Sequence, residues 1–193
     1  MILPKEGPLS ALCQLIDAFK AVGIDYVVVG SVASSVHGAY RASADVDVVA
    51  EISNQQIRPL VNALSGDFYI DDLSVSKAIA QGRSFNVIHL VGIFKVDVFL
   101  PTSDLSKQQL ARRELHAVAS DGSQEIWIAT AEDTMLAKLH WYRLGGEVSE
   151  LQWRDVRGIL GTQGARLDFD YLRIWADRVG VLDLLERALK ETQ

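Results

Sequence analysis

A short run of β-branched residues constrains the fold of this chain more than any other feature. The run Asp25-Tyr-Val-Val-Val-Gly30 is apolar at consecutive positions, so both faces of the corresponding strand are apolar. A strand of this kind belongs in the middle of a sheet that is covered on both sides. The amphipathic pattern of residues 8–22, which ends at Gly23, predicts one of the covering helices.

Periodicity along the rest of the chain predicts a mixed α/β (α+β) fold whose character changes after residue 129. Further strands are predicted over 45–50, 68–70, 84–90, 94–100, 114–119 and 125–129, and further helices over 31–37, 53–64, 74–80 and 104–112. Beyond Thr130 only helical patterns remain, with a capping box at Ser149. We therefore predict a mixed-sheet domain over residues 1–129, followed by a C-terminal helical bundle over residues 130–193.

Composition and charge exclude several classes of protein. The chain has 19 Lys and Arg against 25 Asp and Glu, a net charge of −6, and lacks the basic excess typical of nucleic-acid-binding modules. No apolar run reaches the roughly 18 residues of a membrane span, and the first residues lack the pattern of a secretory signal. The single cysteine, Cys13, excludes an intramolecular disulfide. We expect a cytoplasmic protein without a membrane partner.

Two aspartates in the second predicted strand are the most informative residues. Asp45 and Asp47 lie at positions i and i+2, so their side chains point to the same face of the strand. Two carboxylates at that spacing repel each other unless a positive charge lies between them. Mg²⁺ binds one or two protein carboxylates and completes its shell with water and phosphate oxygens. The pair therefore indicates a divalent cation site, and the alternative is a solvated acidic face on an edge strand.

Gly30 and Ser31 indicate a phosphate site close to this pair. A glycine at the end of a buried strand allows a tight turn and a close approach of a ligand. The N–H groups at the start of the following helix, residues 31–37, would point to the same place. The hydroxyl of Ser31 can donate to a phosphate oxygen or, alternatively, cap the helix.

Asp97 is a third unusual carboxylate. It lies between two valines in the middle of a predicted strand, where a carboxylate is unfavourable without a partner. If this strand neighbours the strand over 45–50, Asp97 joins Asp45 and Asp47 in a cluster able to hold two Mg²⁺ ions. The alternative is a salt bridge between Asp97 and an arginine.

The combination of Gly30-Ser31, a gap of thirteen residues, Asp45-Val-Asp47 and a later strand carrying Asp97 resembles the nucleotidyltransferase fold of the DNA polymerase beta superfamily. The resemblance implies an enzyme that moves a nucleoside monophosphate from an NTP to an acceptor hydroxyl, with Mg²⁺ or Mn²⁺ as cofactor. It implies that the three aspartates are catalytic and bind the metal, and that Gly30 and Ser31 contact the terminal phosphates.

A narrower resemblance involves the helical part. The segments 130–138 and 149–155 resemble small bacterial nucleotidyltransferases related to AbiEii-type toxins. In those relatives a lysine on the first helix after the catalytic domain faces the nucleotide, and Lys138 matches it. The alternative for Lys138 is a solvated lysine on an amphipathic helix. Arg154-Asp155 matches the end of the second segment, whereas a further aspartate common in that region is not evident here. The resemblance implies a toxin–antitoxin role with a cognate toxin or antitoxin protein as partner.

Several expectations concern substrates and additional residues. The acceptor is predicted only as a protein side chain, a tRNA end or a small molecule. Arg41, four residues before Asp45, is predicted to contact a phosphate or to form a salt bridge within its loop. Trp141, Tyr142 and Trp153 are interpreted as core residues, with stacking on a nucleotide base as the alternative. The alternative to an enzyme is an inactive nucleotide-binding or protein-interaction module, or an antitoxin-like partner, that retains the fold.

Overall fold

The computed structural model describes residues 7–39, 45–118 and 124–192 and places them in one mixed sheet and two groups of helices. The first part contains α1 (Pro8–Val22), β1 (Asp25–Val29), α2 (Gly30–His37), β2 (Val46–Glu51), α3 (Ile57–Leu64), β3 (Phe68–Tyr69), α4 (Asp72–Gln81), β4 (Phe85–His89), β5 (Phe94–Phe99), α5 (Asp104–Ala111), β6 (Glu114–Ala117) and β7 (Glu125–Ile128). The second part contains α6 (Ala131–Leu144), α7 (Glu150–Gln163), α8 (Phe169–Arg178) and α9 (Leu182–Thr192).

The sheet has seven strands in the order β3-β4-β5-β2-β1-β7-β6. β1 is antiparallel to β2 and parallel to β7, and β2 is parallel to β5. On one face of β1, Tyr26 and Val28 pack in the cluster formed with α1 and α3, and on the other face Val27 and Val29 pack with Leu110 of α5. The central position predicted for β1 is therefore confirmed, because both of its faces are buried.

Local signals in the sequence account for where the helices begin and end. Gly23, in a left-handed conformation with φ of 72°, ends α1. At the start of the helix predicted over 53–64, a capping box at Ser53 opens a short 3-10 turn that continues into α3. The side chains of Thr130 and Ser149 accept hydrogen bonds from main-chain N–H groups at the starts of α6 and α7. The predicted mixed-sheet fold with a helical bundle after it is confirmed, while the division at residue 129 stays a prediction.

The helical bundle has its own apolar core. Its largest fully buried side chains are Met135, Leu136, Leu139, Ile159 and Leu172. Within residues 7–39, 45–118 and 124–192, no helix is both long and apolar enough to cross a membrane.

α2 is held between the sheet and the bundle by close contacts at its C-terminal end. A Cβ atom on Gly38 would overlap the side chain of Thr162 on α7, and one on Gly158 would lie 3.2 Å from the Cβ of Ala39. The side-chain amide of Gln163 donates to the carbonyl of His37 over 2.9 Å. The end of α2 therefore packs on α7 with no room for larger residues.

His37 is buried at the same junction. Its Nε2 lies 2.7 Å from the carbonyl oxygen of Ala129, which can only accept, so this nitrogen carries the proton. Burial lowers the pKa of His37, although the bond to Ala129 opposes the change. The folded protein therefore holds His37 in its neutral form more readily than the unfolded chain does.

We predict that the free energy of unfolding falls as the pH drops below about 6.5, and that His37→Gln removes part of this fall. The unfolded chain binds the proton more readily, so acid favours unfolding, with a slope of at most about 1.4 kcal/mol per pH unit. Glutamine keeps a donor for Ala129 but does not titrate. Urea unfolding between about pH 7.5 and pH 5 measures the effect. Identical profiles for wild type and His37→Gln would contradict the prediction.

Candidate active site

The pairing of β2 with β5 brings two of the predicted site aspartates together. The strands are parallel, and their register sets Asp47 directly opposite Asp97. Residues in this relation project to the same face of a sheet, here the face on which Val49 and Phe99 meet α5. The neighbouring position of these two strands, on which the sequence prediction depended, is confirmed.

α2 begins beside these carboxylates. Gly30, its first residue, has a φ of 63°, and a Cβ atom there would overlap Oδ2 of Asp47 and lie 2.9 Å from its Cγ. Glycine is required because it combines this left-handed backbone with so close an approach. The first turn of α2, with its N–H groups free of partners inside the helix and the positive end of its dipole, therefore lies next to Asp47.

The hydroxyl of Ser31 already has a partner. It donates to the main-chain carbonyl of Asp45 over 3.3 Å, and the side chain is buried. The residue before α2 is Val29, so Ser31 does not cap the helix, which was the alternative inferred from the sequence. The bond joins the start of α2 to the residue that enters β2.

Burial and neighbouring negative charge both act on Asp47. Burial raises the pKa of its carboxyl group, the carboxylate of Asp97 raises it further, and Asp45 acts in the same direction. The ammonium groups of Lys138 and Lys95 lower the pKa of Asp47 without cancelling the rise. A cation held between Asp47 and Asp97 would remove this repulsion, as expected at a divalent metal site.

Lys95 places a positive charge against Asp97. Its Nζ lies 2.7 Å from Oδ2 of Asp97, and the two side chains are 43% and 19% exposed. The bond to Asp97 raises the pKa of Lys95, and the carboxylates of Asp45 and Asp47 add to the rise. The salt bridge considered for Asp97 therefore exists, with a lysine instead of an arginine. Lys95 was not predicted as a site residue, although its spacing of two residues from Asp97 on one strand was a usable signal.

The three aspartates do not form a preassembled three-ligand metal site. Over the described ranges, no group of three or more His, Cys, Asp or Glu side chains is placed to hold a metal ion. Asp45 precedes β2 and is exposed, whereas Asp47 and Asp97 lie opposite each other. Two carboxylates fit Mg²⁺, which takes its remaining ligands from water and substrate phosphates. The donor set thus fits this ion when a phosphate substrate completes it.

Lys138 of α6 lies at the same site, but its charge is engaged. Its Nζ is 2.8 Å from Oδ2 of Asp155 on α7, and both side chains are buried. The alternative of a solvated lysine is therefore wrong. The ammonium group also lowers the pKa of Asp47, whereas a contact between Lys138 and a nucleotide stays a prediction.

The remaining predicted residues have mixed outcomes. Arg41 lies outside the described residues. Tyr142 and Trp153 are buried, as interpreted from the sequence, but Trp141 is 56% exposed. The interpretation of Trp141 as a core residue is wrong because this side of α6 faces away from the bundle. Leu139 and Tyr142, its near neighbours in the sequence, are buried, so the helical pattern did not reveal that Trp141 is exposed.

A cleft of about 440 Å³ connects several of these groups. Gly30, Asp47 and Lys138 line it, whereas Ser31, Asp45 and Asp97 do not. The other polar or aromatic lining residues are Phe99, Thr102, Ser103, Ser106, Gln109, Thr134, His140, Trp141 and Gln152. The volume is typical of sites for small ligands. A larger depression of about 630 Å³ between α7 and α9 contains none of the predicted site residues.

Solved structures resemble this chain over nearly its whole length, whereas no family model and no curated protein matches its sequence. The solution structure of the antibiotic-resistance factor ANT(2'')-Ia has a TM-score of 0.55 at 10% identity, over 93% of this chain and 96% of that chain. The crystal structure of ANT(2'')-Ia in complex with adenylyl-2''-tobramycin has a TM-score of 0.58 at 10% identity, over 89% and 95%.

A third structure decides which fold these similarities define. The antigenic nucleotidyltransferase-like protein from Paracoccidioides brasiliensis has a TM-score of 0.52 at 17% identity, over 93% of this chain and 91% of that chain. This chain has a nucleotidyltransferase fold. The nucleotidyltransferase fold expected from the motif around Gly30 and Asp47 is thus confirmed, and the AbiEii-type subfamily is not shown.

We predict that Gly30→Ala destabilises the protein more than Gly23→Ala does. Both glycines have left-handed backbones, but a Cβ atom on Gly23 would meet no atom within 4 Å. The control Gly23→Ala should therefore lose only the backbone cost of about 1–2 kcal/mol in the free energy of unfolding. In Gly30→Ala, the overlap with Asp47 adds to this loss. Urea unfolding measures both losses. Equal losses would show that the Asp47 side chain moves aside freely.

Replacing Lys138 with methionine should lower the free energy of unfolding by about 3–5 kcal/mol, because the buried carboxylate of Asp155 loses its ammonium partner. The double variant Lys138→Met/Asp155→Leu should recover most of this loss, since neither member of the ion pair is then left buried without its partner. Urea unfolding of the wild type, both single variants and the double variant gives the coupling energy. Additive losses would contradict the coupling.

Proposed function

We propose that this chain is a Mg²⁺-dependent nucleotidyltransferase that moves a nucleoside monophosphate from an NTP to an acceptor hydroxyl. The observation that carries the proposal is the position of Asp47, opposite Asp97 and in contact distance of Gly30 at the start of α2. A helix N-terminus suits phosphate, and paired carboxylates suit a hard cation. A metal–triphosphate complex needs both at one place.

The first turn of α2 is the proposed triphosphate site. The main-chain N–H groups of Gly30 and Ser31 have no partners inside the helix and can donate to the terminal phosphate oxygens. Asp45, Asp47 and Asp97 would hold Mg²⁺, with Mn²⁺ as a substitute. When bound, the metal would supply positive charge that offsets the charge of the triphosphate and stabilises the reacting oxygens.

Asp97 is the proposed proton acceptor. An acceptor hydroxyl placed against it passes its proton to the carboxylate while the hydroxyl oxygen forms a bond to the α-phosphorus. The bond between the α-phosphorus and the oxygen that bridges to the β-phosphorus breaks, and pyrophosphate leaves with the electron pair. Positioning and charge neutralisation supply most of the catalysis in such transfers. Lys138 and Arg41 are proposed as further cationic contacts for the phosphates.

A small molecule is the acceptor class that the cleft supports best. Its volume of about 440 Å³ suits a compact ligand. One structural neighbour, ANT(2'')-Ia, holds adenylyl-2''-tobramycin, in which an adenylyl group is joined to a small molecule. A protein side chain and a tRNA end are the alternative acceptors.

The narrower assignment depends on α6 and α7. We propose a relationship to small bacterial nucleotidyltransferases related to AbiEii-type toxins, acting in the cytoplasm with a cognate toxin or antitoxin as partner. It is supported by the two resembling segments and by the pairing of Lys138, from the first, with Asp155, from the second.

A second candidate function is a module that binds nucleotide without transferring it. The observation that favours it is the ion pair between Lys95 and Asp97 at 2.7 Å. A carboxylate already paired with a lysine is less available to a metal ion or to an acceptor hydroxyl. The two candidates differ in whether pyrophosphate is released.

Asp47→Asn should lower nucleotide transfer by about 100-fold or more, the usual scale for removing a group that stabilises transition-state charge. The assay incubates each of the four labelled NTPs and Mg²⁺ with RNA, protein and small-molecule hydroxyl acceptors, and measures label transfer and pyrophosphate. Asp67→Asn, on the surface, is the matched control and should keep wild-type activity. Equal transfer by wild type and Asp47→Asn would contradict the metal assignment. Thermal stabilisation by NTP without pyrophosphate release would favour the binding module.

A further inference from the structure

We propose that Lys95 is a built-in counter-ion of the carboxylate site, and that it leaves Asp97 when a metal–triphosphate complex binds. The inference rests on the proposed function and concerns how the same site admits its metal. It assigns to Lys95 a positioning and regulatory role, without a place in the covalent chemistry.

Lys95 lies next to the paired carboxylates. Lys95 and Asp97 are two residues apart on β5, so their side chains lie on the same face of the sheet. The Nζ atom lies 2.7 Å from an oxygen of the carboxylate that stands opposite Asp47. The same ammonium interacts electrostatically with Asp45 and Asp47. One monovalent cation therefore lies against the group of carboxylates that a divalent cation would use.

Charge balance explains why a lysine is held there. Like charges directly opposite each other on neighbouring strands destabilise a sheet, and Asp47 and Asp97 are such a pair. The ammonium of Lys138 is bound to Asp155, so its charge is shared with another carboxylate. Lys95 is directed at Asp97 and therefore compensates the pair in the absence of a metal.

Lys95 can leave this position without disturbing the core. Its side chain is 43% exposed and consists of a flexible four-carbon stem. Ion pairs with this degree of exposure contribute little to stability. Once displaced from Asp97, the ammonium group can donate to an oxygen of the triphosphate at the adjacent start of α2.

The consequence is a preference for the metal–nucleotide complex over the free metal. A free divalent cation must compete with Lys95 for Asp97, and the displaced ammonium then has no new anionic partner at the site. A metal that arrives with a triphosphate brings that partner with it. Lys95 thus couples metal binding to nucleotide binding.

The test measures Mn²⁺ binding by electron paramagnetic resonance, without nucleotide, in wild type, Lys95→Met, Lys95→Arg and Lys77→Met. Lys95→Met should bind Mn²⁺ about 5- to 10-fold more tightly than wild type, because an exposed ion pair no longer competes. Lys95→Arg keeps the charge and should stay close to wild type. Lys77, exposed on α4, is the matched control for the change in net charge, and its replacement should have no effect.

A second arm uses the ATP analogue with a methylene group between the α- and β-phosphorus atoms, at saturating Mn²⁺. Lys95→Met should bind the analogue several-fold more weakly than wild type, the opposite sign to its effect on Mn²⁺ alone. A purely structural lysine would not produce these opposite effects. Unchanged affinity for the analogue would overturn the transfer of the ammonium to the triphosphate.

The outcomes separate this inference from the proposed function. If Mn²⁺ binds wild type and Lys95→Met equally, and Asp47→Asn abolishes binding in both, the counter-ion role is overturned and the metal site stands. If neither protein shows Mn²⁺ binding that depends on Asp47, the metal site is overturned and the counter-ion role with it.

Discussion

Two carboxylates held opposite each other on β2 and β5 are the constraint around which the rest of the structure is arranged. Asp47 and Asp97 cannot separate without breaking the register of the central parallel strand pair. Their repulsion is offset on several sides: Lys95 is paired with Asp97, the ammonium of Lys138 acts on Asp47, and α2 begins beside Asp47. Together these groups allow a half-buried acidic pair to persist in a protein whose net charge is already −6.

The helical bundle contributes to the site as well as to stability. Lys138 reaches the cleft from α6 and is oriented by Asp155 of α7, so the packing of two bundle helices determines where this positive charge lies. A buried ion pair of this kind is weak evidence for stability by itself, because desolvation opposes the attraction. Its value here is positional, since it holds an ammonium group on the wall of the cleft.

The fold and the centre of the candidate site were predictable from the sequence because both depend on local patterns. A strand apolar on both faces required a covered sheet, and Asp45, Asp47 and Asp97 were conspicuous because carboxylates are rare in buried strands. The pairing of β2 with β5 could be assumed but not predicted from the sequence, because strand order depends on contacts between residues that are distant in sequence. The partners of Lys138 and Ser31 were missed for the same reason. Asp155 lies on another helix, and the main-chain carbonyl of Asp45 lies just before another strand. Trp141 was wrongly assigned to the core because helical spacing alone does not show which face of a helix is exposed to solvent.

The contact between α2 and α7 has a consequence for how the cleft can vary. The chain at the end of α2 lies so close to α7 that a Cβ atom on Gly38 would overlap Thr162, and one on Gly158 would lie 3.2 Å from the Cβ of Ala39. To move α2, the protein would have to break its packing against α7 and the buried hydrogen bond between His37 and the carbonyl of Ala129. The wall that α2 contributes to the cleft at Gly30 is therefore fixed by the scaffold. On the opposite wall Trp141 is exposed, so this side of the cleft can change without disturbing the packing of α2.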